Sequence, residues 1–140
     1  MSFVSAIPAA PSPDAVAHFA RRLTLETDCA DVGASMKAGE KDFVLLHVVG
    51  SPQAYARRHV PGAIHLRHAE IDAQRMAAWP ADTLFVVYCA GPHCNGADRA
   101  ALKLAMLGRP VKLMIGGVTG WEDEGLPFAT GDEPGVLLAA

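Results

Sequence analysis

Residues 84–107 read Leu84-Phe-Val-Val-Tyr-Cys89, then Ala90-Gly-Pro-His-Cys-Asn-Gly96, then Ala97-Asp-Arg-Ala-Ala-Leu-Lys-Leu-Ala-Met-Leu107. The first part is a short apolar run rich in β-branched and aromatic residues, which predicts a strand buried on both faces of a parallel sheet. In the last part Ala97, Ala101 and Leu104 lie about one helical turn apart, which predicts a helix with one face on that sheet.

The loop between this strand and this helix begins at Cys89 and is rich in glycine. Glycines allow successive backbone N–H groups to turn inward, at a point where the start of a helix adds partial positive charge. Positive potential lowers the pKa of a thiol, and the thiolate is the nucleophilic form. We therefore predict that Cys89 is a nucleophile and that the loop binds an anion. The predicted anion-binding residues are Ala90, Gly91, Pro92, His93, Cys94, Asn95 and Gly96.

Composition and charge narrow the classes of function. A chain of 140 residues, 51% of them hydrophobic, is expected to form one globular domain. A net charge of −3 and the lack of a nucleic-acid motif argue against nucleic acid and acidic membranes as partners. The first twenty residues contain no Lys or Arg and no long apolar run, so neither a secretory signal nor a membrane span is expected. Three cysteines fit a reducing compartment, and we expect a cytoplasmic location.

Further apolar runs at residues 43–49 and 111–115 alternate with short helical segments. This alternation predicts an α/β domain over residues 23–140, with a central parallel sheet covered by helices on both faces. Residues 1–22 are predicted to form a tail and a short helix. The apolar face of that helix, which includes Phe19 and Leu23, is expected to pack either on the domain or on a second copy in a homodimer.

Four motifs follow one another along the chain. A strand and turn, Val44-Leu-Leu-His-Val-Val-Gly-Ser-Pro-Gln-Ala-Tyr55, precede the turn His59-Val-Pro-Gly-Ala-Ile-His-Leu66. Val87-Tyr-Cys89 ends the central strand, and Gly116-Gly117 with Trp121 and Gly125-Leu-Pro127 completes the series. In this order and spacing, from about Leu23 to Phe128, the sequence resembles the rhodanese family of sulfurtransferases.

The resemblance implies a single rhodanese-like α/β domain of the thiosulfate sulfurtransferase type. In that family the cysteine at the position of Cys89 accepts a sulfane sulfur as a persulfide and passes it to a nucleophile. The implied partners are a small sulfur-containing anion and a thiol or protein sulfur acceptor, with no cofactor. A metal site at Cys89, His93 and Cys94 is not expected, because zinc sites usually show tighter paired spacing and a second pair of ligands.

The sequence departs from the family pattern near the loop. The loop is about two residues longer than is typical, and Cys94, Asn95 and Gly96 stand where a basic residue usually closes it. His47 and Val49 replace the acidic and basic residues that usually end the second strand. A dianion such as thiosulfate should therefore be held less well, and a catalytically weak regulatory or binding module stays open. Phosphatase chemistry of the cell-cycle type is disfavoured, because it needs the loop arginine.

The loop also contains a second cysteine, Cys94. Cys94 either attacks a persulfide or sulfenic acid on Cys89 and closes a disulfide, as in a thiol redox protein, or only shapes the loop. His93, beside it, either donates a hydrogen bond to the substrate or is idle.

Overall fold

The structure is a computed structural model that describes residues 1–138. Five strands form one sheet in which every neighbouring pair runs parallel. They are β1 (Glu26–Asp28), β2 (Val44–His47), β3 (Ile64–His65), β4 (Phe85–Tyr88) and β5 (Val111–Ile115). Their order across the sheet is β1-β5-β4-β2-β3, so the strand that precedes Cys89 is the central one.

Six helices connect and flank the strands. Three of them begin after a side chain that accepts a backbone N–H of the first turn; for example, the Asp28 carboxylate accepts the N–H of Asp31 at 2.8 Å and caps the second helix. A short 3-10 helix, His68–Glu70, precedes the fourth helix. The helices are α1 (Ser12–Leu25), α2 (Cys29–Lys37), α3 (Pro52–Arg57), α4 (Ala73–Met76), α5 (Gly96–Met106) and α6 (Gly117–Asp123).

Both faces of the sheet are covered, as the sequence predicts. All four residues of β4 are buried, and successive side chains point to opposite faces. Val86 and Tyr88 belong to the core that α2 and α6 cover. Phe85 and Val87 belong to the core that α4 and α5 cover. The α/β architecture with a central parallel sheet is therefore confirmed.

The helix α1 lies outside both cores. It has no buried residue, and Phe19 and Leu23 of its apolar face are 56% and 71% exposed. Its C-terminal end is held by Lys112, whose ammonium group donates to the Leu23 carbonyl oxygen at 3.0 Å. The expected packing of this apolar face into the domain is wrong, whereas contact with a second copy and a domain boundary at residue 22 stay predictions. No helix among residues 1–138 has the length and apolar character needed to cross a membrane.

Candidate functional site

Cys89 lies directly after the carboxyl end of β4, where ligand sites of open parallel sheets form. Its side chain is almost fully buried, with 4% exposed. The loop that follows ends at Gly96, the first residue of α5. The predicted strand, loop and helix are all present, and they bring Cys89 and residues 90–96 together.

The first two loop residues are held by the start of α6. The N–H of Val118 donates to the Cys89 carbonyl oxygen at 3.0 Å, and the N–H of Thr119 donates to the Ala90 carbonyl oxygen at the same distance. Gly117 has a φ of +57°, and a Cβ atom there would overlap the Cys89 carbonyl oxygen. The second glycine of the Gly116-Gly117 motif is thus required by the approach of two backbones.

The backbone N–H groups of Gly91 and Ala97 lie close enough to the Cys89 sulfur to lower the pKa of its thiol. The sulfur also lies 3.1 Å from the carbonyl oxygen of Cys94 and 3.8 Å from that of Gly91, either of which can accept the thiol proton. The convergence of loop amides on Cys89 stays a prediction. Gly91 is a loop residue, but Ala97 belongs to the first turn of α5.

The pKa of the Cys89 thiol is raised, mainly by burial and further by its contact with Cys94. The N–H groups of Ala97 and Gly91 lower this pKa but do not outweigh the burial. The expectation that the loop lowers the pKa of Cys89 is therefore wrong for this arrangement, because desolvation of the sulfur is the larger effect.

Cys94 shows the opposite behaviour. Burial raises its pKa, but the N–H of Gly96, the thiol of Cys89 and the N–H of Ala90 together lower it below its usual value. The Gly96 N–H lies 3.4 Å from the Cys94 sulfur. The first proton lost by the pair of thiols therefore leaves Cys94. Sequence reasoning missed this, although Cys94 stands three residues before the predicted helix, where amides are unpaired.

The loop glycines Gly91 and Gly96 are needed for close packing. A Cβ atom at Gly91 would lie 2.7 Å from the Thr119 hydroxyl oxygen, and one at Gly96 would overlap the Val49 side chain. Neither glycine has a positive φ.

The other predicted loop residues are more accessible. Pro92, His93 and Asn95 are exposed. Asn95 occupies the N-cap position of α5 without a capping side-chain bond, and its side-chain oxygen instead accepts from Arg99 at 3.2 Å.

Two cavities share the loop as a wall and have no lining residue in common. The thiol cavity, of about 250 Å³, is lined by both loop cysteines and by the carboxylates of Glu26 and Asp98, with no Lys, Arg or His. The basic cavity, of about 550 Å³, has no carboxylate in its walls. Its polar lining residues are His47, Arg57, Arg58, His93 and Thr119.

Within residues 1–138, no three or more His, Cys, Asp or Glu side chains are grouped so that they could hold a metal ion. The third cysteine, Cys29, is buried away from the loop, and its thiol donates to the Ile115 carbonyl oxygen at 3.5 Å.

The sequence between residues 31 and 124 matches the family model of the rhodanese-like domain. The chain belongs to the rhodanese-like domain family. The match covers more than half of the chain and includes the central strand, the Cys89 loop and the Gly-Gly turn before α6.

Three similar proteins show the range of this family. The chain is similar to the BH2092 protein of Bacillus halodurans, with 32% identity, a TM-score of 0.81, and coverage of 87% of this chain and 88% of that one. A thiosulfate sulfurtransferase of Pseudomonas aeruginosa is 25% identical, with a TM-score of 0.60 over 80% of this chain and 21% of that one. The HTH-type transcriptional regulator Rv0324 of Mycobacterium tuberculosis is 36% identical over 102 residues, which are 69% of this chain and 43% of the regulator. The chain thus spans less than half the length of this curated relative.

Proposed function

We propose that this rhodanese-like domain transfers sulfane sulfur and carries it as a persulfide on Cys89. The observation that supports this best is the position of the Cys89 sulfur. Cys89 lines the thiol cavity at the carboxyl end of the central strand, where the N–H groups of Gly91 and Ala97 lower the pKa of its thiol. The same two donors would stabilise the terminal negative charge of a persulfide.

The first step begins with ionisation of Cys89. The Cys89 thiol gives up its proton to solvent, and the resulting thiolate attacks the sulfane sulfur of the donor. A bond forms between Cys89 and that sulfur, while the sulfur's bond to the rest of the donor breaks and the leaving group keeps the electron pair. An acceptor thiolate then attacks the outer sulfur and regenerates Cys89.

The walls of the thiol cavity favour a donor of low negative charge. Glu26 and Asp98 line the cavity; Arg22 pairs with the Glu26 carboxylate at 2.7 Å, but no cation lines the cavity to offset Asp98. A dianion such as thiosulfate is repelled there, whereas the persulfide of a small thiol or of a protein carries at most one charge on its reacting end. We therefore propose a persulfide donor and a thiol acceptor.

Intact-protein mass spectrometry tests this proposal. The protein is incubated with thiosulfate or with glutathione persulfide, and the expected result is the gain of one sulfur atom, faster with the persulfide. The gain should disappear in Cys89→Ser and persist in the matched control Cys29→Ser, whose thiol lies outside the thiol cavity. No sulfur gain with either donor would contradict sulfur transfer and favour a regulatory or binding module.

A thiol redox cycle is a second candidate, favoured by the contact of Cys89 with Cys94. In that cycle the Cys94 thiolate attacks the Cys89 sulfur of a persulfide, releases hydrosulfide and leaves a disulfide, which a dithiol reductant must reopen. Loss of two protons from the protein mass after the donor is removed, abolished in Cys94→Ser, would support it. A cytoplasmic location and a homodimer stay predictions.

A further inference from the structure

The basic cavity contains a polar atom that the proposed sulfur transfer does not use. His47, the last residue of β2, is 5% exposed and lines this cavity. Its Nδ1 atom lies 2.6 Å from the Tyr88 hydroxyl, but among residues 1–138 its Nε2 atom has no hydrogen-bond partner. Every fully buried side-chain nitrogen or oxygen in that range has a partner, so Nε2 is not sealed and reaches the cavity.

The partners of Tyr88 determine which nitrogen of His47 carries the proton. The Tyr88 oxygen accepts the N–H of Val60 at 3.1 Å, and its hydroxyl has one hydrogen to donate. Within the described residues its other partner is Nδ1 of His47, so the hydroxyl donates to Nδ1. A neutral imidazole then carries its hydrogen on Nε2. His47 therefore presents a fixed N–H donor to the cavity.

The ring of His47 cannot turn to hide this donor. It meets the rings of Tyr55, His65 and Tyr88 edge to face, with centroids 5.4, 5.5 and 4.9 Å away. The ring of His65 is itself fixed, because its Nε2–H donates to the carbonyl oxygens of Val49 and Gly50 at 3.2 and 3.0 Å.

The cations of the basic cavity differ in what they already contact. Arg58 lies 3.4 Å from the Glu122 carboxylate and 4.7 Å from the centre of the Phe128 ring. Arg57, on the exposed side of α3, forms no ion pair with any residue in the range 1–138. The cavity thus offers one unpaired cation and one unpaired N–H donor, with no carboxylate in its walls.

We propose that the basic cavity binds an oxyanion group, which accepts hydrogen bonds from the Nε2–H of His47 and the guanidinium of Arg57. Oxyanions accept several hydrogen bonds and donate none, so they match a site built of donors. The cavity volume of about 550 Å³ lies in the range of small-molecule sites. The oxyanion group is therefore either an inorganic ion or the charged end of a small organic molecule.

This site is separate from the thiol cavity. Ala90, whose carbonyl oxygen accepts both the N–H and the hydroxyl of Thr119, forms part of its wall, and neither Cys89 nor Cys94 lines it. Binding of the oxyanion therefore does not depend on sulfur transfer.

Titration with sodium sulfate, followed by NMR, tests the proposal. Saturable shifts are expected at the ring nitrogens of His47 and at the amides of Ala90 and Thr119. His47→Asn places an acceptor near Nδ1 for the Tyr88 hydroxyl but removes the Nε2–H, and Arg57→Gln removes the unpaired cation. Each should weaken binding by about tenfold or more, the usual cost of a charge-assisted hydrogen bond. Tighter binding of propanesulfonate than of sulfate would identify an organic ligand.

The matched control is Arg75→Gln, which removes an arginine outside the cavity that lies 3.7 Å from Glu70 and should leave the affinity unchanged. Thermal unfolding checks that His47→Asn is folded; if it is not, Arg57→Gln, on an exposed side chain, decides alone. The absence of saturable shifts, shifts at Cys94 and Asp98 instead, or unchanged affinity in Arg57→Gln would overturn the proposal. Cys89→Ser should bind sulfate like the parent protein, so failure of sulfur transfer and failure of this site are distinguishable.

Discussion

The Cys89 sulfur lies 3.1 Å from the carbonyl oxygen of Cys94, whereas the Cys94 sulfur lies 3.4 Å from the N–H of Gly96. The thiol of Cys89 therefore has an acceptor for its proton, while the sulfur of Cys94 has a donor for its negative charge. This asymmetry makes Cys94 the more readily ionised of the two loop thiols.

Alkylation rates should reveal this asymmetry. At pH 7 iodoacetamide is expected to modify Cys94 first, because its lowered pKa gives it the larger thiolate fraction, and Cys89 later, because its pKa is raised. Peptide mass mapping over time measures both rates. Cys29 is the internal control, since burial and the nearby charges of Asp28 and Glu124 raise its pKa to about 11. Fastest modification of Cys89 at pH 7 would contradict the assignment.

Gly117→Ala should destabilise the protein and impair sulfur transfer together. Its φ of +57° strains any other residue, and the added methyl group overlaps the Cys89 carbonyl oxygen. We expect a loss of roughly 3 kcal/mol or more in the free energy of unfolding, measured in urea. Gly108→Ala is the matched control, because its φ is +75° but no atom lies within 4 Å of the added Cβ, so only about 1–2 kcal/mol should be lost. Equal losses in both variants would show that the close approach is unimportant.

The face of α5 on the sheet should carry most of the helix's stabilising contacts. Leu104 is fully buried and Leu102, two residues earlier, is 62% exposed. Leu104→Ala should lower the free energy of unfolding by about 2–5 kcal/mol, since it leaves a cavity in the core. Leu102→Ala should change it by no more than about 0.5 kcal/mol. Chemical denaturation measures both, and similar effects would mean that the helix is packed differently.

Acid should destabilise the protein through His47. Burial, with the nearby charges of His65 and His59, lowers its pKa from 6.5 to about 4. Above pH 6.5 the His47 ring is neutral in both the folded and the unfolded protein. As the pH falls towards 4, the ring binds a proton in the unfolded protein but not in the folded one. This group alone should remove roughly 3 kcal/mol between those pH values. The measurement is urea unfolding at pH 7, 5 and 4, with His47→Asn as the comparison; identical pH dependence of the two proteins would refute this role.

Much of the fold could be predicted from local sequence. The apolar run before Cys89 is as long as a buried strand, and the period of the residues after Gly96 is that of a helix, so both elements and their faces follow from pattern alone. The helix α1 shows the limit of that reasoning. Its apolar stripe has the right period, yet Phe19 and Leu23 stay largely exposed, because periodicity does not say what a face packs against.

The sequence indicates where the candidate site lies but not its electrostatics. Sequence reasoning placed Cys89 and residues 90–96 together, because the carboxyl end of a strand fixes where a loop begins. It could not compare the effect of burial on the pKa of Cys89 with the effect of nearby amides on the pKa of Cys94. Both effects depend on the interatomic distances around the two sulfurs. The role of His47 was equally hidden, because its partner Tyr88 lies 41 residues away on the neighbouring strand.

The pairing of the loop with the start of α6 also determines how the loop can bend. The carbonyl oxygens of Cys89 and Ala90 are both tied to that helix, but between Pro92 and Asn95 the backbone N–H of Cys94 bonds only within the loop, to Gly91. A hinge is therefore expected just after Gly91. A bulky substrate would swing the outer half of the loop aside and carry Cys94 with it, while Cys89 stays fixed at the end of its strand.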